Sequence, residues 1–235
     1  MSAFYHFRIS REGLRVNGSS VEKAKITALS ESVGNAQVAY LSTSEKSKRK
    51  STPELNSPDA IFSNRNVRQS AASYAFIAVT ERFDESLVLL AHKWGLQLVD
   101  MLYVRSKDSH MDPTGTLDLN KGVEVVPHVP IEKESVAVQR AAQSFRTRSG
   151  ADVELLRIAN KRLDAAAEVL DSEHRPGFTQ AEVAKFKSMI AELERVCRPR
   201  FFEACLWGDN GCAQTCIDET VEAKGWARHG RSLLV

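Results

Sequence analysis

Residues 73–108 read SYAFIAVTERFDESLVLLAHKWGLQLVDMLYVRSKD, and the fold class turns on how they are read. The run AFIAVT at 75–80 is apolar, compact and β-branched toward its end, which suits a buried strand. Asp84 and Glu85 stand where the first turn of a helix favours acid. Leu87, Leu90, Ala91 and Trp94 then recur at i, i+3, i+4 and i+7, a helical stripe. Gly95 is placed to stop that helix, because it adopts the left-handed conformation without a Cβ penalty. Residues 102–104 read as a second short strand. Strand, helix and strand over about 30 residues make a βαβ unit. The expected class is therefore α/β with a parallel sheet flanked by helices.

Downstream of that unit, residues 106–135 read as a long loop, with Pro113, Gly115, Gly122, Pro127 and Pro130. Two helices follow. The first, over 151–170, sets Leu156, Ala159, Leu163, Ala166 and Leu170 on one face. The second opens on Thr179-Gln180-Ala181-Glu182, a capping box in sequence. It continues with Val183, Phe186, Ile190, Leu193 and Cys197 on one face. After Pro199 comes a cysteine-containing loop centred on the turn residues Asp209-Asn210-Gly211. The carboxyl-terminal part is thus expected to be helical and Cys-containing.

Upstream, residues 1–72 are poorly patterned. Phe4, Tyr5 and Phe7 begin a short alternation, Gly18-Ser19-Ser20 read as a turn, and 21–29 suit a short helix. Residues 42–73 are rich in Ser, Lys, Arg, Asn and Pro, and the run EKSKRKS at 45–51 reads as a solvated linker. The expected organisation is an N-terminal segment and linker over 1–72 and one domain over 73–235. Its core should include Ile77, Val79, Leu87, Leu90, Trp94, Leu102, Leu156, Leu163, Phe186 and Ile190, with 42–70 exposed and irregular.

Composition narrows the function classes. In 235 residues, 32 Lys and Arg against 30 Asp and Glu leave a net charge of +2, which gives no polyanion signal. No nucleic-acid partner is expected. No stretch approaches the roughly 18 consecutive apolar residues of a membrane span. The start, MSAFYHFRISREG, has no apolar run of the kind a secretory signal needs. Phosphate-loop, dinucleotide, nucleophile-elbow and metalloprotease motifs are all missing. The 6 histidines do not pair at metal-ligand spacing, so no metal is expected.

The 4 cysteines, Cys197, Cys205, Cys212 and Cys216, are the whole complement and lie close together. Such a cluster is a disulfide framework, a metal site or a set of reduced thiols, and the lack of a C-x2-C pair weakens the metal reading. Two disulfides are expected. The preferred pairing is Cys205–Cys216 with Cys197–Cys212, since each bond then joins a helix end to the Asp-Asn-Gly turn. Of the remaining polar residues, Thr80 and Glu81 stand out at the end of the first expected strand. In open α/β sheets ligands bind outside the carboxyl ends of strands. The alternative is that Thr80 or Asp84 caps the following helix and Glu81 answers its dipole.

The block 73–108 resembles a recurrent block of the galactose-3-O-sulfotransferase and galactosylceramide sulfotransferase family, in its algal and protist branch. There an apolar strand ends in "TE" or "AE", "FDESLVLL" follows, and a "DVLY" strand closes. Here the counterparts are Thr80-Glu81, Phe83 to Leu90, and Asp100-Met101-Leu102-Tyr103. ANKRLD at 159–164 resembles a downstream "AN-x-x-LD" helix, and CLWGDNGCAQTCIDE at 205–219 resembles a Cys-rich close.

The resemblance implies sulfuryl transfer from 3′-phosphoadenylyl sulfate to a sugar hydroxyl, without a metal. It also implies a glycan or glycolipid acceptor, a P-loop-type α/β fold and residence in the Golgi lumen, whereas a start without signal or anchor, taken as authentic, leads to the expectation of a cytoplasmic chain. Thr80, Glu81, Arg105 and Lys107 are the residues it offers to the donor, although Arg105 and Lys107 also read as ordinary loop cations. The family's donor phosphate loop has no counterpart in 1–72. Arg15 to Ser20 has the residue types without a preceding strand, and Arg65 and Ser73 match the phosphate pair in separation alone. The expectation is the carboxyl half of such an enzyme domain. The alternative is a non-catalytic remnant that binds a sugar, a nucleotide or a partner.

Overall fold

A computed structural model of the chain describes residues 18–31, 64–105, 131–200 and 213–226. These residues are mostly helical. The described residues form helices α1 (Gly18–Glu31), α2 (Asn64–Ala72), α3 (Phe83–Trp94), α4 (Val136–Arg148), α5 (Gly150–Glu173), α6 (Phe178–Cys197) and α7 (Gln214–Ala223), with short 3-10 turns at Thr80–Arg82, Leu98–Met101, Ile131–Lys133 and Arg198–Arg200. No strand occurs among the described residues, so the expected parallel sheet is overturned. Residues 76–79 and 102–105 lie outside any helix, and Val79 (φ −114°, ψ 122°) and Leu102 (φ −67°, ψ 143°) are extended, but neither stretch enters a ladder. The backbone N–H of Val79 donates instead to the Ser86 hydroxyl at 3.0 Å. A short apolar run satisfies its backbone by whatever partner is near, and here the partner is a side chain on the next helix.

The chain divides into two compact units, one of residues up to Ala75 with Ser109–Ile158, the other of Phe76–Asp108 with Ala159–Val235. In the first unit, α1 and α4 pack through Leu29, Val138 and Ala142, with Ile26, Ala141 and Phe145 around them. Residues 18–20, expected as a turn, already belong to α1. Ser135 caps α4 by accepting from the Val138 N–H, and Arg148 closes α1 by donating to the Leu29 (2.8 Å) and Ser30 (3.2 Å) carbonyls. Lys25 is buried and ion-paired with Glu134 at 2.6 Å. A buried ammonium needs such a partner, because desolvation alone would be prohibitive. Residues 64–72 of the expected linker form α2, with Val67 and Ala71 buried. The rest of 42–63 lies outside the described residues.

In the second unit, α3 presents two adjacent residues to two different clusters. Leu89 joins Val79, Ala159, Leu163 and Leu170, while Val88 joins Phe186 and Ile190. The buried positions of α3 are therefore Ser86, Val88, Leu89 and Ala91. Leu87 and Leu90 are half-buried, and Trp94, expected in the core, is 53% exposed. Leu156 is likewise exposed, the buried role falling to Leu155. Ile77 and Leu102 are half-buried, whereas Val79, Leu163, Phe186 and Ile190 are buried as expected.

Helix ends follow local chemistry. Gly95 ends α3 at φ 64°, with the Leu96 N–H donating to the Ala91 carbonyl at 2.8 Å. The capping box expected at Thr179 does not form. Instead α6 begins after Gly177 (φ 76°), and Asp171 of α5 accepts from the backbone N–H of Gly177 (3.1 Å) and Thr179 (2.7 Å). Those bonds, led by that from Thr179, hold the Asp171 carboxyl below its usual range. The freed Thr179 hydroxyl donates to the Ala167 carbonyl at 3.2 Å.

Candidate functional site

The residues singled out in the sequence gather around the start of α3. Thr80 and Glu81 are exposed and belong to a 3-10 turn, Thr80–Arg82, that leads directly into the helix. They do not stand at the end of a parallel strand. Nor does either the Thr80 or the Asp84 side chain cap α3.

The neighbouring Arg82 makes the contacts. Its Nε donates to Glu85 Oε2 at 2.8 Å, three residues ahead in the first turn of α3. Its Nη1 reaches Asn160 Oδ1 at 3.2 Å and Asp164 Oδ1 at 2.7 Å on α5. The hydrogen bond it donates to Glu85 is the largest cause that holds the guanidinium above its ordinary range. Ser86 is fully buried beneath this turn, where it bonds the Val79 backbone.

On the other side of the turn, the Tyr103 hydroxyl donates to Asp84 Oδ1 at 2.7 Å. The Tyr103 ring packs edge-on to Phe83, centroids 5.2 Å apart. Burial first, and then the bond to Asp84, push the phenol up to about 12. A phenol so held is protonated at neutral pH, so it acts here as a hydrogen-bond donor and not as a base. Arg105 is exposed, and its guanidinium is raised chiefly by its hydrogen bond with Tyr103. Its backbone is fixed to α6, the N–H donating to Glu194 and the carbonyl accepting from Arg198 at 3.0 Å. Lys107 lies outside the described residues.

Thr80 and Glu81 precede Arg82, which bonds Glu85, Asn160 and Asp164, while Arg105 belongs with Tyr103 and Asp84 in a second polar group. Sequence reasoning gave Asp84 and Glu85 only a helix-start role and named none of Arg82, Asp84, Glu85, Tyr103, Asn160 and Asp164 as a ligand-binding residue. Two signals pointed to them: an Arg–Glu pair at i, i+3 beside a helix start, and Asn160 with Asp164 at i, i+4 on one helical face. Chemically, the two groups offer hydrogen-bond donors and carboxylates, with Arg82 neutralised by Glu85 and Asp164.

The other expected site is the cysteine cluster. Cys197, at the end of α6, is bonded to Cys216 in the first turn of α7 (S–S 2.07 Å, Cα–Cα 5.7 Å). This pairing overturns Cys205–Cys216 with Cys197–Cys212, because each of those bonds would use a sulfur already taken. The reason is packing: both half-cystines are buried in one cluster with Val99, Met189, Leu193, Ile217 and Val221. Cys205 and Cys212 lie outside the described residues. Among the described residues no group of three His, Cys, Asp or Glu is arranged to hold a metal ion. None of their helices is long and apolar enough to cross a membrane. Comparison of the chain with known protein families, with curated proteins and with solved structures finds no match.

Proposed function

We propose that the chain is, or is part of, a carbohydrate or glycolipid sulfotransferase that moves a sulfuryl group from 3′-phosphoadenylyl sulfate to a sugar hydroxyl. The observation that carries this reading is the meeting of the separate sequence blocks of the resemblance. Asp84 of FDES accepts from Tyr103 of DMLY, and Glu85 of FDES shares Arg82 with Asn160 and Asp164 of ANKRLD. Residues far apart in sequence and drawn from one pattern have a common structural reason. In this reading Thr80, Glu81, Arg105 and Lys107 face the donor. Arg105 supplies positive charge where the transferred group develops negative charge.

A second reading, a non-catalytic module that binds a sugar, nucleotide or partner, is favoured by one feature. The cation nearest the turn, Arg82, is spent on Glu85 and Asp164, and Asp84 adds a further carboxylate facing an anionic donor. Calorimetry with 3′-phosphoadenosine 5′-phosphate, paired with an assay for sulfuryl transfer to a sugar hydroxyl, separates the two. The sulfotransferase reading expects transfer, and tight binding that weakens at least tenfold in Arg105→Ala. No transfer or no binding by folded protein overturns it and leaves the second.

A further inference from the structure

Helix α7 is poorly equipped to stand alone. It has 10 residues, no side-chain cap at its start, no acid in its first turn and no base in its last. Isolated helices of this length are marginal in water, and uncompensated ends make them more so. What holds it is a narrow seam: Cys216, Ile217, Thr220 and Val221 are buried, set against Val99, Met189, Leu193 and Cys197. Outside the seam, Lys224 pairs with Glu192 at 2.6 Å and Arg200 with Glu219 at 3.1 Å, the latter pair well exposed. The one covalent tie across the seam is Cys197–Cys216, at a sequence separation of 19. The Thr220 hydroxyl lies 3.6 Å from the Cys197 sulfur and 4.0 Å from that of Cys216, and donates to the Cys216 carbonyl at 2.7 Å.

From these features we propose that α7 is a redox-latched cover over the apolar end of α6, docked while the bond is intact and released when a dithiol reduces it. In the reaction, one thiolate of the dithiol attacks a protein sulfur, the Cys197–Cys216 bond breaks and a mixed disulfide forms. The second thiolate then closes the reductant's own disulfide. Cys197 and Cys216 are left as two thiols, and the two protons they take up are those the dithiol loses. Both cysteines are almost fully buried, at 0% and 3% exposure, so a thiolate reaches them only in the small fraction of molecules in which α7 frays locally with the bond still intact. Opening and reduction are therefore linked: the open state is the one that is reduced, and reduction removes the tie that closes it. Release would bare Val99, Met189 and Leu193, a contiguous apolar surface of the kind that binds partners or aggregates.

Hydrogen exchange read by mass spectrometry on the full chain tests this, with and without dithiothreitol, the thiols counted in parallel. Peptides covering 214–223 should exchange at least tenfold faster once the two thiols appear, while those covering 83–94 keep their protection. The double variant Cys197→Ser/Cys216→Ser should match the reduced protein without any reductant. Unchanged protection over 214–223 in protein shown to be reduced would overturn the proposal. So would a bond that resists dithiothreitol until denaturant is added, or a loss of protection over 83–94 in step with 214–223. Either would make the bond a plain structural tie.

Discussion

At the head of α3, Arg82, Glu85, Asn160 and Asp164 join two elements through charge and hydrogen bonds; at the foot of α6, Cys197 and Cys216 join two through sulfur and buried hydrocarbon. The head is half open to water. Asp164 is 60% exposed at its side chain, so each ion pair there contributes roughly 0–1 kcal/mol. The foot is dry and covalently closed. Cutting a bond that closes a loop of this size costs roughly 2–4 kcal/mol in the chain-entropy account. The difference separates two tasks. Strong, solvent-excluded contacts fix where a helix lies, whereas weak, solvated ones orient side chains and leave them accessible to a ligand. A candidate binding site belongs at the head on those grounds, and a stability element at the foot.

The comparison breaks first if the foot proves weak. Cys197→Ser/Cys216→Ser should lower the unfolding free energy by roughly 2–4 kcal/mol in urea titrations. A loss below that at the head would come from Ser86→Ala. It strips the buried Val79 N–H of its acceptor, and roughly 1–3 kcal/mol should follow, read by the same titration. A cost for Ser86→Ala above that of the double cysteine variant would reverse the ranking.

Titration sharpens the contrast further. Tyr103 at the head is raised to about 12 from an ordinary 10.0. The neutral phenol is thus favoured by folding, so its contribution is complete below pH 10.0 and is lost as pH rises toward 12. Tyr103→Phe should flatten that alkaline limb in denaturation curves measured across the range. Glu192 at the foot runs the other way. Hydrogen bonds from Arg195 and Lys224 lower it from 4.5 to about 2. Its contribution is present above pH 4.5 and disappears as pH falls through about 2, and Glu192→Gln should remove that acid limb. The smallest effect is expected of Asp164→Asn. It should change stability by less than about 1 kcal/mol, and the difference from the parent should shrink further in 1 M salt.

How much of this was legible in the sequence depended on whether the cause was local. The α6 stripe was readable because Phe186, Ile190, Leu193 and Cys197 face neighbours along one side. Gly95 was readable because a left-handed stop is a property of glycine itself. The register of α3 was not, because Val88 and Leu89 serve two clusters and the buried strip is broader than a single stripe. The run at 75–80 failed as a strand because pairing partners lie elsewhere in the chain, and an apolar hexamer says nothing about whether they exist. The cap of α6 was invisible for the same reason: its acceptor, Asp171, belongs to the preceding helix. At the candidate site Thr80 and Glu81 were singled out, but it is Arg82, one position on in the same turn, that holds the contacts. Four cysteines allow three pairings, and spacing does not choose among them.

The bond from the Thr179 N–H to Asp171 also bears on the order in which the chain acquires its structure. It links residues eight apart, so it closes at little entropic cost and on the timescale of small loops, far faster than chain ends meet or sulfurs oxidise. Two consecutive helices, α5 and α6, can therefore be aimed relative to each other before any distant contact exists, with Phe178 seated beside Leu170 at the bend. Whether the α5–α6 corner is the nucleus onto which α3 condenses through Leu89 and Val88 is a question that variants at Asp171 and Ile217 answer. With the nucleus there, Asp171→Ala should slow refolding by nearly the full factor by which it shifts the equilibrium, a φ-value near one, whereas Ile217→Ala in α7 should chiefly speed unfolding.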